Sequence, residues 1–456
     1  MSQLRIELEN FKNPVVVLYI GLAILLISHC IRIVWGHDFA WPAQALIFCA
    51  LLLLLAVPAS LIFGLVSYLL LAHGLPRYTA VHDLLLENHI LEWTCALLGL
   101  GMLLWARRTR EYPDIARPAS VFMLLFVVWI AVSVLGMWLR DVPWQPEFRH
   151  HPMLFFQGFL LFLLASQYLH EPRRTFTLAL VISLIPVLRW ILQSTTDLHL
   201  EGDTALISAL ALTVSLVGAF HAPDRVMRVV FALAGSNALA MILLTQNRAA
   251  AVMVLIALLT LWLTGRHKLP ILVLAIITAA TLLLTIDSPH EYWNRFQAIW
   301  LPDANHATAG LDRATVQERL SLWKAGMEVV GDYPWLGVGP GNFANIVGFY
   351  NPDIVNLPVH NSYLAIAAET GIPGIILFSA LVISVLITLI GTLQAGQSEK
   401  LHTARLLLAC ILGFLAGAMF ITRHDAPLLY LMLGWAIAMT RAQHVQRARR
   451  PVPRTS

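Results

Sequence analysis

His360-Asn361-Ser362-Tyr363-Leu364, running on to Glu369, Gly371 and Gly374, stands where a polar segment (287–359) meets a long apolar run (361–391). A helix needs roughly 20 predominantly apolar residues to cross a bilayer. This stretch therefore sets a titratable histidine at a membrane–water boundary, beside the one sizeable polar segment of the chain. Working outward, runs of the same kind recur near 14–35, 42–73, 90–106, 119–139, 153–169, 175–193, 203–220, 226–246, 249–264, 269–286, 404–421 and 426–440. Hydrophobic residues make up 58% of the 456 and charged residues 12%, against about 25% charged in soluble domains. The chain reads as an all-α polytopic membrane protein. Pro58 interrupts the run at 42–73, giving one kinked helix or two short ones, so about 12 spans are expected, within a range of 12–14. The first run lacks a small-residue cleavage site and reads as a span, not a removed signal. Residues 1–456 form a single transmembrane domain, with 287–359 inserted between its helices as one large loop.

Lysine and arginine set the expected orientation. Arg107, Arg108, Arg110 and Arg117 share one short loop, Arg173 and Arg174 another, and Arg225 and Arg228 a third. Arg266 with Lys268, Lys400 with Arg405, and the tail beyond Met439 continue the series. These loops alternate with basic-poor ones, which places them in the cytoplasm and the large loop outside. The net charge of +4 follows the same loops and tail, and reads as topology and contact with anionic headgroups. No basic face or recognisable module accompanies it, so nucleic acid is not expected as a partner. Cys30, Cys49, Cys95 and Cys410 all lie in apolar runs and read as small buried hydrophobes.

Polar residues at membrane depth are costly and face a cavity or a partner. Around Thr245-Gln246-Asn247-Arg248 the apolar sequence continues on both sides, so the chain turns there, on the outside. Arg248 reads either as an interfacial arginine snorkelling to headgroups or as an anion ligand on the floor of an outer cavity. Glu318-Arg319-Leu320-Ser321-Leu322-Trp323-Lys324 opens an amphipathic helix that ends at Gly331-Asp332-Tyr333-Pro334. Leu320, Trp323, Met327 and Val330 recur at helical spacing; that face is expected to pack on the membrane domain, with Arg319 pointing elsewhere. The loop Trp335-Leu336-Gly337-Val338-Gly339-Pro340-Gly341-Asn342-Phe343 reads either as a nest of N–H groups for an oxyanion or as a plain tight turn.

His360, with an ordinary pKa near 6.5, can take and return a proton at neutral pH. Glu369 lies on roughly the opposite helical side in a regular helix and is not expected to pair with it. Arg189 lies near the outer end of a span and reads as lining the same cavity or as snorkelling. His150 and His151 share an outer loop with Arg149, and no carboxylate pair near them has metal-ligand spacing. Neither an Asp-any-Asp pattern nor a phosphate-binding glycine loop is present, which disfavours nucleotide-sugar or ATP chemistry.

Taken together, these segments resemble the O-antigen ligase and polymerase superfamily of bacterial inner membranes. Thr245-Gln246-Asn247-Arg248 is similar to the family's arginine just after a span, with Asn247 where serine is more usual. Arg319-Leu320-Ser321-Leu322-Trp323, followed by Asp332-Tyr333-Pro334 and the glycine loop, resembles the second arginine helix. His360-Asn361-Ser362-Tyr363-Leu364 with Glu369, Gly371 and Gly374 resembles the histidine motif, and the spacing from His360 to Gly371 is similar to the ligase pattern. The motif-bearing part covers residues 226–391.

The resemblance implies a GT-C-like glycosyltransferase of the inner membrane with its site facing the periplasm. The implied reaction moves a polysaccharide from undecaprenyl diphosphate to lipid A–core oligosaccharide, inverting the anomeric centre. His360 is then the catalytic base, and Arg248 and Arg319 bind the diphosphate. No cofactor and no metal are implied, because the arginines neutralise the leaving group. The partners are the lipid-linked donor, the core acceptor and membrane lipids. A polymerase joining lipid-linked repeat units is the alternative within the superfamily. A protein O-oligosaccharyltransferase is disfavoured, since those chains usually carry a further C-terminal soluble part and this one ends in a basic tail. A multispanning lipid or glycan transporter would share the composition, but paired halves or matched broken helices are not seen in the sequence.

Overall fold

Backbone N–H and C=O groups inside hydrocarbon have to be satisfied within the protein, and a continuous helix does so within one segment. The computed structural model meets that demand: every regular element among the described residues is helical. It describes residues 60–74, 90–109, 117–140, 142, 150–193, 202–245, 247–265, 268–269, 307–352, 354, 356–396 and 398–449. In chain order the helices are α1 (Ser60–Leu69, widening into a π turn at Leu70–Gly74), α2 (Ile90–Thr109), α3 (Pro118–Leu139), α4 (His150–Tyr168) and α5 (Pro172–Gln193). There follow α6 (Gly202–His221), α7 (Arg225–Thr245), α8 (Arg248–Thr264), α9 (Ala307–Asp332), α10 (Phe343–Tyr350), α11 (Ser362–Gln394), α12 (Ser398–Gly417) and α13 (Pro427–Arg449).

Six described helices (α3, α5, α6, α7, α11 and α12) are long and apolar enough to cross a membrane, and α8 and α13 contain shorter apolar helices. The runs at 90–106 and 153–169 are helical as α2 and α4 but fall outside those six. The run at 14–35, most of that at 269–286, and the part of 42–73 before Ser60 lie outside the described residues. So does 287–306 of the large loop; the rest of that loop is mostly folded, as α9, the glycine loop and α10.

Lipid offers no hydrophobic drive for helix association, so small residues that let backbones approach decide which spans meet. α13 lies against α4, where Gly434 faces the Phe162 backbone and Gly158 makes room for the Tyr430 ring. α12 meets α8 through Gly413 and Gly417, which face Met253 and Ala257. α3 packs along α11 and α6 along α7. A second, smaller apolar cluster lies apart from the main core. Leu322, Ala325, Val329, Val338, Phe343, Ile346, Val347 and Val359 gather there with Ala365 and Ala368 of α11. It seats α9, the glycine loop and α10 as a cap on the first turns of α11.

The two ends of the bundle are built from different groups. At one end Arg117 donates to the Ile437 carbonyl at 3.1 Å, Lys400 donates to the Met439 carbonyl at 2.8 Å, and the rings of His221 and His402 stack at 3.6 Å. At the other lie the α7–α8 turn, His360 and the turn between α12 and α13. Arg189 neither lines a cavity nor snorkels. It is 2% exposed, and donates from Nε to the His73 carbonyl and from Nη1 to Thr204 Oγ1, each at 2.6 Å. A charged group at that depth is kept by its partners, and this one ties the π turn to the first turn of α6.

Candidate active site

The site is built around a break in α11. Gly371 has φ 74° and ψ 178°, a region open only to glycine, and Pro373 follows. Proline lacks the N–H that would have bonded the carbonyl four residues back, so Glu369 O is released. The glycine loop and α3 take up the freed groups. Val338 and Gly339 donate to the Ala368 and Glu369 carbonyls at 3.0 and 2.9 Å, and Ile372 donates to Pro334 O at 2.7 Å. Ser133 Oγ reaches the Glu369 carbonyl at 3.0 Å, and Trp129 Nε1 the Thr370 carbonyl at 2.8 Å. Gly337 and Gly371 lie where any Cβ would run into the opposing backbone, that of Glu369 and of Trp335 respectively. Gly371→Ala is expected to cost about 1–3 kcal/mol in backbone strain alone, and more from the clash. A lower melting midpoint of the detergent-solubilised protein checks this.

The same hydrogen bonds decide between the two readings of the glycine loop. The amides of Gly337, Val338, Gly339 and Asn342 donate to protein carbonyls, and that of Gly341 donates to Glu369 Oε2 at 2.8 Å. The loop is a clamp on the broken helix, not an oxyanion nest. Arg140 at the end of α3 holds it from the far side, donating to Gly337 O at 2.7 Å. Glu369 is buried, and its carboxylate also meets His424 Nε2 at 3.1 Å. As the helical geometry implied, its partners do not include His360.

Helix α9 packs by a different face from the one its hydrophobic pattern suggested. Leu322, Ala325, Gly326 and Val329 turn inward, while Leu320 and Met327 are exposed and Trp323 and Val330 half-buried. The reason is steric. A Cβ at Gly326 would already crowd Leu364 and Val359, so only a stripe with small residues fits against the start of α11. Arg319 lies one turn before Leu322 on that same stripe. The rotation therefore brings it toward the bundle, where its charge acts on His360.

His360 sits just before α11 with φ 53°, a left-handed conformation that is uncommon outside glycine. Asn361 caps the helix, its Oδ1 accepting from Tyr363 N at 3.0 Å and Leu364 N at 3.1 Å. The imidazole is half-buried. Burial first, then the Arg319 and Arg423 guanidinium groups, lower its pKa from 6.5, with Glu318 opposing them. At neutral pH the ring is thereby held uncharged, the form that accepts a proton.

The chain turns at Arg248 as expected: α7 ends at Thr245 and α8 opens at Arg248. Asn247 caps α8, accepting from Ala250 N at 3.1 Å. Asn and Ser are comparable N-caps, so asparagine keeps the local structure where serine is more usual. The Arg248 side chain lies outside the described residues. Its backbone neighbour is placed: the Ala249 carbonyl lies 3.2 Å from where a Cβ on Gly417 would be. The next residue, Ala418, accepts the Ser362 N–H at 2.8 Å. The first turn of α8 and the His360 segment thus meet at the same turn of chain, and Arg319 acts on that segment from above.

Sequence reasoning missed the residues of that turn. Arg423, His424 and Asp425 are a charged triplet stranded between the apolar runs at 404–421 and 426–440, on a basic-poor side; that isolation was the available signal. Arg423 Nε donates to Asp203 Oδ1 at 2.6 Å. Asp425 is buried and bonds His151 Nδ1 at 2.7 Å. Burial opposes its ionisation, but the bond and charge of His151, with His424 and Arg423, hold its carboxyl far below the usual carboxylate range. The carboxylate partner of His151, absent from its neighbourhood in sequence, comes from 274 residues away.

Residues 229–379 match the family model Wzy_C, described as O-antigen ligase. Over that segment, about a third of its length, the chain is similar to the O-antigen ligase family. The comparison with curated proteins finds no match. The match supports an activity of the O-antigen ligase or polymerase type in lipopolysaccharide biosynthesis. Arg248, Arg319 and His360 fall inside the segment matched to the O-antigen ligase family, as do the glycine loop and the break in α11 at Gly371. Asp203 and the Arg423-His424-Asp425 triplet fall outside it.

Proposed function

We propose that this protein is an O-antigen ligase working at the periplasmic face of the inner membrane. It moves a glycan from undecaprenyl diphosphate to lipid A–core oligosaccharide by a single, inverting, metal-independent displacement. The observation that carries the reading is the placement of a half-buried His360 directly before the broken helix α11, with the Arg319 guanidinium near enough for its charge to act on the ring. It lies at the end of the bundle away from Arg117 and Lys400, where in this reading a lipid-linked donor meets the sugar hydroxyls of a lipid-anchored acceptor.

In this mechanism the acceptor hydroxyl oxygen attacks the anomeric carbon and its proton passes to the His360 imidazole. The bond from that carbon to the phosphate oxygen breaks, and its electron pair stays on the departing diphosphate. Arg248 and Arg319 neutralise the charge that develops there. Guanidinium suits the task because it stays charged and offers a planar fork to phosphate oxygens. The driving energy is that of the activated donor bond.

Purified protein given donor and core acceptor in a chelating buffer is expected to form a new glycosidic bond to the core. Joining of two lipid-linked repeat units without transfer to the core would make it a polymerase. Relocation of intact donor without bond formation would make it a transporter. A strict need for a divalent metal would overturn the arginine-only account of the leaving group.

A further inference from the structure

The turn between α12 and α13 is tied in two directions. By its backbone it holds the His360 segment. Ser362 gives its N–H to Ala418 O at 2.8 Å and its hydroxyl to Ile421 O at 2.6 Å, and the same Oγ accepts the Arg423 N–H at 2.9 Å. By its charge it holds α6. Arg423 Nε donates to Asp203 Oδ1 at 2.6 Å, a second guanidinium nitrogen lies against the same oxygen, and Nη1 donates to the Thr422 carbonyl at 3.2 Å. The pair is not a solvent-screened surface contact, since the Asp203 side chain is 10% exposed and that of Arg423 33%. Asp203 is itself held in place, because its neighbour Thr204 accepts from the buried Arg189.

A histidine at φ 53° keeps that conformation only while its surroundings enforce it. The enforcing contacts here are the Asn361 cap on one side and the Ser362–turn contacts on the other. We propose that the Arg423–Asp203 ion pair is a positioning device for glycosyl transfer, fixing the 418–426 turn to α6 and, through Ser362, holding His360 at the site. The inference rests on the reading of His360 as the base. In it Asp203 and Arg423 touch no substrate; both act through His360, from outside the segment matched to the family.

Two signatures separate positioning from a merely structural role. The first is turnover per folded molecule. Displacing a reacting group by about 1 Å costs on the order of 10²-fold, so Asp203→Asn and Arg423→Gln are each expected to lower kcat roughly tenfold or more. Donor KM should change little. The second is the acid limb of the pH–rate profile. Among the described residues, the charged groups that act on His360 are Glu318 and Arg319 from α9 and Arg423 from the turn. Arg423→Gln removes a cation that disfavours the imidazolium, so the limb moves to higher pH. Asp203→Asn leaves that cation in place, so the limb stays at or below its wild-type position.

The experiment measures kcat, KM and the pH profile for full-length wild type, Asp203→Asn, Arg423→Gln, the double variant and His360→Ala, normalised to folded protein. The double variant is expected to lose less than the product of the two single losses, because the partners act as one unit. Arg423→Lys keeps the charge and part of the bonding. It should show an intermediate kcat with an unmoved limb, and it serves if Asp203→Asn does not insert. Wild-type kcat in Asp203→Asn, an unmoved limb in Arg423→Gln, or multiplicative losses would overturn the positioning role. Retained transfer in His360→Ala would instead overturn the function on which it rests.

Discussion

His360→Ala is expected to abolish measurable transfer while leaving the protein inserted and still able to bind donor. General-base assistance contributes roughly 10²–10⁴-fold, and a hydroxyl acceptor has no other route for its proton in the proposed step. The pH profile carries the sign of the same argument. A base works in its neutral form, and burial with the Arg319 and Arg423 charges lowers the His360 pKa from 6.5. The midpoint of the acid limb of kcat/KM, which reports the free enzyme, should therefore fall below pH 6.5. Any trace of transfer left in His360→Ala should show no such limb. Full activity in this variant would remove His360 from the mechanism. A kcat/KM limb centred above pH 6.5 would contradict the electrostatic setting of the ring, because it would require a net anionic neighbourhood in the free enzyme. Donor binding, followed separately with labelled lipid-linked glycan, distinguishes loss of a base from collapse of the site.

Much of this arrangement was legible in the sequence for simple reasons. Six of the expected spans, those long and apolar enough among the described residues, followed from apolar length, and the turn at Arg248 from a run too long for one helix. The interest of the His360 segment followed from its polarity at the edge of an apolar run, whereas the cap at Asn361 shows only in the structure. What escaped was decided by volume and by distance along the chain. Leu320 and Met327 have the hydrophobic period of a packing face, yet Ala325 and Gly326 win it, because Val359 and Leu364 leave no room for larger side chains. Periodicity measures polarity and carries no information about that gap. Arg423 and Asp203 are separated by 220 residues, so no local pattern joins them. Their partnership shows only once α6 and the α12–α13 turn are in one place. Glu369 is similar: its motif position marked it as notable, but its work of gripping Gly341 depends on a break at Gly371 that the spacing alone did not announce.

Arg319→Lys separates charge from geometry at the diphosphate. Lysine keeps one positive charge but presents it as a point, without the fork that matches two phosphate oxygens at once. Preorganised donors at a developing charge are worth about 2.7–4 kcal/mol each, so kcat is expected to fall on the order of 10²–10³-fold. The cation near His360 survives this substitution, so the acid limb should stay where it is. Arg319→Gln removes fork and charge together, which should both lower kcat further and move the limb to higher pH. The two variants therefore resolve the two duties of a single side chain: contact with the leaving group, read in kcat, and control of the base, read in the pH profile. Equal rates for Arg319→Lys and wild type would reduce Arg319 to an electrostatic neighbour of His360. The diphosphate contact would then fall to Arg248 alone. If Arg319→Gln also left the limb unmoved, the inward turn of α9 would have no part in setting the base, and Arg319 would be a packing residue of the cap.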